Sequence, residues 1–191
     1  IEDYSYPLLA WHPKGNLVAM VYEYKNQLLL HTYDIESGEE VKRIIPLFEK
    51  VNSINYNSDG KKIVMSAVKR GKGQSDVFVF GVNTSAVEQL TNDAWDDKNP
   101  VFVRDGKQIV FASNRLYDTL RPADDANNFL KFNRNSDLFM SPYPNKDNKV
   151  LVRVTRTPDC NEDFPQRYGN DYITYLSDVT GIYNRYVARY D

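Results

Sequence analysis

Residues 102–111, Phe102-Val103-Arg104-Asp105-Gly106-Lys107-Gln108-Ile109-Val110-Phe111, set a tight-turn signal directly before an unbroken apolar run. Asp-Gly between two strands permits the positive φ that a short hairpin needs. The β-branched and aromatic residues after it favour a strand covered on both faces. The same order recurs at Trp11-His12-Pro13-Lys14-Gly15-Asn16-Leu17-Val18-Ala19-Met20 and at Tyr56-Asn57-Ser58-Asp59-Gly60-Lys61-Lys62-Ile63-Val64-Met65. A worn fourth copy is Gln166-Arg167-Tyr168-Gly169-Asn170-Asp171-Tyr172-Ile173-Thr174-Tyr175. Gly15, Gly60, Gly106 and Asn170 occupy equivalent places, separated by 45, 46 and 64 residues. Asn170 stands in for glycine because Asn tolerates the left-handed region. A period near 45 residues filled by strands is the mark of a β-propeller with one blade per repeat.

Each copy expands into the same series of strands. Those after the turn are expected at Leu17–Tyr24, Lys62–Val68 and Gln108–Ser113. A polar pair then opens a further strand, at Leu28–Tyr33, Val77–Val82, Leu138–Tyr143 and Tyr186–Tyr190. Outer strands follow at Glu40–Ile45, Ala86–Leu90 and Lys149–Thr155. No window shows apolar residues at helical spacing, so the fold class is all-β with essentially no helix. The blades are expected near residues 7–46, 51–92, 98–156 and 163–191, with a loop insertion at 116–134 in the third. Copy four ends at Asp191 without an outer strand. Residues Ile1–Tyr6 are a candidate to fill that place; otherwise the chain is a slice of a larger ring or protein. A free strand edge would offer itself for pairing with the rest of a parent protein. The start at Ile1 fits a processed product or a piece of something longer.

Composition narrows the function. A formal charge of −2 gives no basic footprint for nucleic acid. No apolar run approaches the ~20 residues of a membrane helix, and no segment resembles a secretory leader. Membrane insertion is therefore not expected. One cysteine, Cys160, leaves neither an internal disulfide nor a cysteine metal site.

Residues Asn99–Arg115 closely resemble the TolB-type propeller repeat, which has a proline, an aromatic, an Asp-Gly turn, a lysine, an apolar strand and a Ser-x-Arg ending. Ile54–Ala67 and Pro7–Met20 match the same pattern, while copy four keeps Ile173–Asp178 but lacks Asp-Gly. The resemblance covers nearly the whole chain apart from the insertion. It implies a periplasmic or outer-membrane-associated protein of the bacterial cell envelope that contacts other envelope proteins, without enzymatic activity. Similar blades also form the cap domains of prolyl-oligopeptidase-like serine peptidases. That is the alternative, with a catalytic domain lying outside this chain.

Propeller topology opens the insertion, the segment Asn92–Asn99 and the segment Thr157–Asp163 on one face. Trp95, Asp96, Asp97, Asp124, Asp125 and Asp163 are accordingly the candidate partner-binding residues, joined by Asp93, Asp159 and Glu162. Trp95 suits either an exposed anchor or packing between blades, and Arg115 suits pairing with a neighbouring blade's acid. No spacing matches a calcium loop, so no metal or cofactor is expected. His12 and His31 are the two histidines, and neither adjoins a nucleophile with carboxylate support. Gly73-Gln74-Ser75-Asp76-Val77 fails the nucleophile elbow at its last position. No catalytic residues are expected.

Overall fold

The computed structural model describes residues 7–120, 135–145, 150–157 and 159–190. Their fifteen strands form four separate antiparallel sheets, each built from consecutive strands in chain order. The first sheet holds β1 (Leu8–Trp11), β2 (Leu17–Tyr24), β3 (Gln27–Asp34) and β4 (Glu40–Ile44). The second holds β5 (Phe48–Tyr56), β6 (Lys62–Lys69), β7 (Ser75–Gly81) and β8 (Val87–Gln89). The third holds β9 (Asp97–Val103), β10 (Gln108–Ser113), β11 (Asp137–Pro142) and β12 (Val152–Arg153). The fourth holds β13 (Glu162–Tyr168), β14 (Tyr172–Ser177) and β15 (Asn184–Arg189). Four sheets stacked in chain order are the blades of a propeller, and the fold is all-β. One 3₁₀ turn, Arg104–Gly106, is the sole helical element among the described residues. Residues Ile1–Tyr6, suggested above as a closing strand, lie outside the described residues.

The core lies between sheets, because each strand has two apolar faces to bury. Ala19, Val21, Leu28 and Leu30 of the first sheet meet Ile63, Met65, Phe78 and Phe80 of the second. Val64, Val77 and Val79 then meet Phe102, Ile109, Phe111 and Phe139 of the third. Val101, Val110, Leu138 and Met140 meet Ile173, Ala188 and Tyr190 of the fourth. Burying each of these larger side chains contributes about 1.5–3 kcal/mol. The first strands β1, β5, β9 and β13 run side by side in that order, and β13 has no comparable packing against β1. The blades therefore form an open arc. Among the described residues, nothing covers the outer faces of its end sheets. Leu9, Trp11, Tyr24 and Tyr33 are exposed on the first, and Phe164, Tyr168, Tyr172 and Val187 on the fourth.

The turns between first and second strands show why glycine recurs. Gly60 has φ +73°, and a Cβ there would lie 1.7 Å from Nε2 of His12 in the preceding blade. His12 thus rests on the neighbouring turn, its ring edge-on to Tyr56 at 5.1 Å. In the fourth turn the structure corrects the expected residue. Positive φ falls on Gly169 (66°) and not on Asn170. Tyr168 pairs directly with Tyr172, so this hairpin is shorter than that closed by Tyr56 and Ile63 and places its left-handed residue earlier.

Candidate functional site: the blade joints

The described candidate acids lie on one face of the arc, where second-to-third strand hairpins meet the connections between blades. The structure buries several of them. Asp97 opens β9 opposite Ser113, and Arg115 follows two residues after that serine. Arg115 is 1% exposed, and Asp97 is fully buried. The Arg115 Nη2 donates to both carboxylate oxygens of Asp97 at 2.8 Å. Nη1 donates to Asp93 at 3.1 Å, and Nε donates to the Ser113 hydroxyl at 2.9 Å. The guanidinium lies over Phe111 and Phe139, 5.4 and 5.6 Å from the ring centroids. Arg115 therefore draws its acids from its own sheet and from the segment leading into it, and the expected pairing with a neighbouring blade gives way to that arrangement. Asp97, expected on a partner-binding face, meets Arg115 instead of solvent.

Asp76, at the start of β7, completes the cluster from the preceding blade. Its carboxylate accepts from Gln89 and Thr91, and carboxylate oxygens of Asp76, Asp93 and Asp97 lie within 4.8 Å of one another. Burial, then Asp97 and Asp93, push Asp76 up to about 7. Burial and Asp97 push Asp93 up to about 6, against the pull of Arg115. Three such oxygens could ligate a cation. A calcium ion needs six to eight, and Arg115 already supplies the compensating charge.

Trp95, Asp96 and Asp163 are held in place but reach the surface. Asp96, half-buried, accepts from the backbone and hydroxyl of Ser75 at 3.0 and 3.1 Å, while its own amide donates to Asn114. Trp95 is half-buried beside it, its amide donating to Asp93. Asp163 accepts from Asn99 at 2.8 Å across the third joint. Glu162 is buried at that joint, and Asp159 is exposed. Asp124 and Asp125 lie outside the described residues. The root of the insertion is tied down through the Thr119–Val150 bridge and the bond from the Leu151 amide to the Asp118 carbonyl. Sequence reasoning placed Asp76 and Asp137 only as strand openers. The signal was there in the repeated Ser75-Asp76 and Ser136-Asp137 pairs, each set next to a buried strand.

Comparison with known proteins agrees with this architecture. No family model matches the chain. The Tol-Pal system protein TolB of Wolinella succinogenes is 29% identical over 94 residues, 49% of this chain and 22% of that protein. The crystal structure of TolB from Acinetobacter baumannii superposes with a TM-score of 0.69 at 17% identity, covering 95% of this chain and 40% of that one. The fold is a TolB-type β-propeller. Prolyl oligopeptidase B from Galerina marginata also superposes, at TM-score 0.63 and 11% identity, over 96% of this chain and 25% of that enzyme. The chain thus spans well under half the length of either TolB. Arg115 ends the Ser113-Asn114-Arg115 stretch that follows β10. The second joint shows its use as the cation that lets Asp93 and Asp97 be buried together.

Proposed function

We propose that the chain is a non-enzymatic protein-interaction scaffold of the bacterial cell envelope, acting in the periplasm on envelope proteins. The observation that carries this reading is the open arc itself. Its two end sheets expose aromatic and aliphatic side chains, Trp11 being 63% exposed, where the internal sheets bury theirs. Apolar patches of this kind mark association surfaces. The likeness to TolB, named as a Tol-Pal system protein, supports the envelope setting. In this reading the uncovered sheets pack against further parts of a parent protein. The half-buried Trp95, Asp96 and Asp163, with Asp124 and Asp125 of the insertion, meet the partner.

The test is capture from an envelope extract by the intact chain, by a variant lacking residues 121–134, and by Asp96→Asn. Both changes spare the buried pair and the root of the insertion. Reduced capture of the same proteins by both variants supports the acidic face, and undiminished capture by both excludes it. The second reading, a propeller cap of a serine peptidase, draws on the likeness to prolyl oligopeptidase B. A Gly-x-Ser-x-Gly region in the adjoining parent sequence would favour it.

A further inference from the structure

The second and third blade joints share a frame but compensate charge differently. Asp97 and Glu162 each open the first strand of a sheet, opposite Ser113 and Ser177. Asp76 and Asp137 each stand at the start of a third strand, second in β7 and first in β11, and Gln89 and Arg153 are their outer-strand neighbours, opposite Phe78 and Phe139. At the second joint Arg115 joins this frame and pairs with two acids. At the third, Val179 occupies the corresponding place two residues after Ser177. The arginine there is Arg153, whose guanidinium is engaged by Asp137.

Glu162 is consequently a carboxyl group, 1% exposed, with no cation bonded to it among the described residues. One oxygen, Oε1, accepts from the hydroxyls of Thr157 and Ser177. The other, Oε2, is buried with no partner for an ionised carboxylate. Thr157 bridges the two acids, its amide donating to Asp137 at 3.2 Å and its hydroxyl to Oε1 of Glu162, so the two carboxyl groups are neighbours. Two ionised carboxylates cannot share such a space without a large cost, whereas one proton between them satisfies both.

We propose that the third joint is a proton-binding site in which neutral Glu162 donates from Oε2 to Asp137, and that losing this proton loosens the fourth blade from the third. Among the described residues, the groups around Glu162 are Asp137 from β11, held by Arg153 of β12, Thr157 and Cys160 from the connection, and Ser177 and Tyr175 from β14. Asp159 and Asp178 lie one step further out, beside Cys160. Strands β9 and β10 also pack on β13, and their charged side chains are Asp97, held by Arg115, and Lys98. Burial raises Glu162 above the ordinary glutamate range; the Thr157 hydroxyl pulls it back and Asp137 adds to the rise. Stability from a raised acid is present below its unfolded value and disappears as pH rises through its folded value.

Two measurements on the whole chain test this. First, urea unfolding of the wild type and of Glu162→Gln is followed from pH 4 to pH 8. The amide is a permanently neutral near-isostere that can still donate to Asp137. The wild type is expected to lose ground to the variant as pH rises, tenfold in the folding constant for each unit by which Glu162 is raised. Other buried acids are common to both proteins and cancel in the difference. Parallel pH profiles would overturn the proposal. Second, the Glu162 carboxyl carbon is titrated by NMR in the wild type, which needs no variant. A midpoint above the ordinary value of about 4.3 is expected. A midpoint at or below it overturns the proposal, even if the Gln variant fails to fold.

Discussion

Arg115 holds Asp97 through one nitrogen, Nη2, which donates to both carboxylate oxygens at 2.8 Å, from a guanidinium 1% exposed to a carboxylate fully out of solvent. Asp97 and Arg115 flank the edge of one sheet, yet they close the joint with the sheet before it. The Ser66 hydroxyl of that earlier sheet donates to the Asp97 carbonyl at 2.7 Å. A buried ion pair of this kind fixes geometry more than it adds net stability. Removing one partner is therefore the informative perturbation. Arg115→Met is expected to leave buried carboxylates unpaired and to destabilise the fold by about 3–5 kcal/mol. Urea unfolding monitored by Trp fluorescence measures it. A loss below 1 kcal/mol would mean that the acids already stand neutral without Arg115.

Asp76 and Asp93 give the same joint a pH dependence of definite sign. Both are raised, to about 7 and about 6. Their contribution is present below the ordinary aspartate range and fades as pH rises through 6 and 7. Asp76→Asn keeps the shape and removes the upper part of this loss. The variant is expected to gain on the wild type between pH 5 and pH 8 in thermal unfolding. A wild-type advantage that grows over the same range would reverse the sign and refute the assignment.

Glycine at the second turn answers to two demands at once. Gly60→Ala has both a left-handed backbone and the His12 ring against it, whereas Gly106→Ala, at φ +83°, meets nothing within 4 Å. The Gly106 change is expected to cost about 1–2 kcal/mol, the penalty for an L residue in this region. The Gly60 change should cost more, and adding His12→Ala should remove the excess. Equal costs for the two single changes would show that His12 moves aside freely.

The isolated chain is expected to lack hydrolase activity. His12 rests on the Gly60 turn and His31 sits in β3 beside Glu40, at 2.8 Å, so neither histidine is paired with a serine. An assay with a peptidase ester substrate checks this. Turnover abolished by changing one serine would contradict it.

The strands were more legible in the sequence than the site. The apolar runs after each turn predicted β2 and β10 to the residue and β6 to within one. β6 and β10, buried on both faces, carry a continuous apolar signal that loops cannot mimic, and β2 keeps the same run through Leu17–Tyr22 although its sheet is covered on one side. The outer strands were less sharp. Residues 149–155 were expected to form one, and the structure gives Val152–Arg153, because a two-residue edge carries almost no pattern of its own. Asn170 misled because register alone does not report hairpin length. The acids were hardest. Asn92–Asn99 has the composition of a solvated loop, and nothing local distinguishes the buried Asp93 and Asp97 from the half-buried Asp96. Their burial follows from Arg115, about twenty residues on, and from the Phe111 and Phe139 rings beneath its guanidinium.

The open four-blade arc is tested most directly by native-state amide hydrogen exchange read residue by residue. Sheets covered on both faces exchange through global unfolding, while uncovered ones open locally. The slowest amides are expected in β6, β7, β10 and β11, with markedly faster exchange in β1, β4 and β15. Protection of β1 and β15 equal to that of β6 and β10 would contradict the open arc and mean that the end sheets are covered after all.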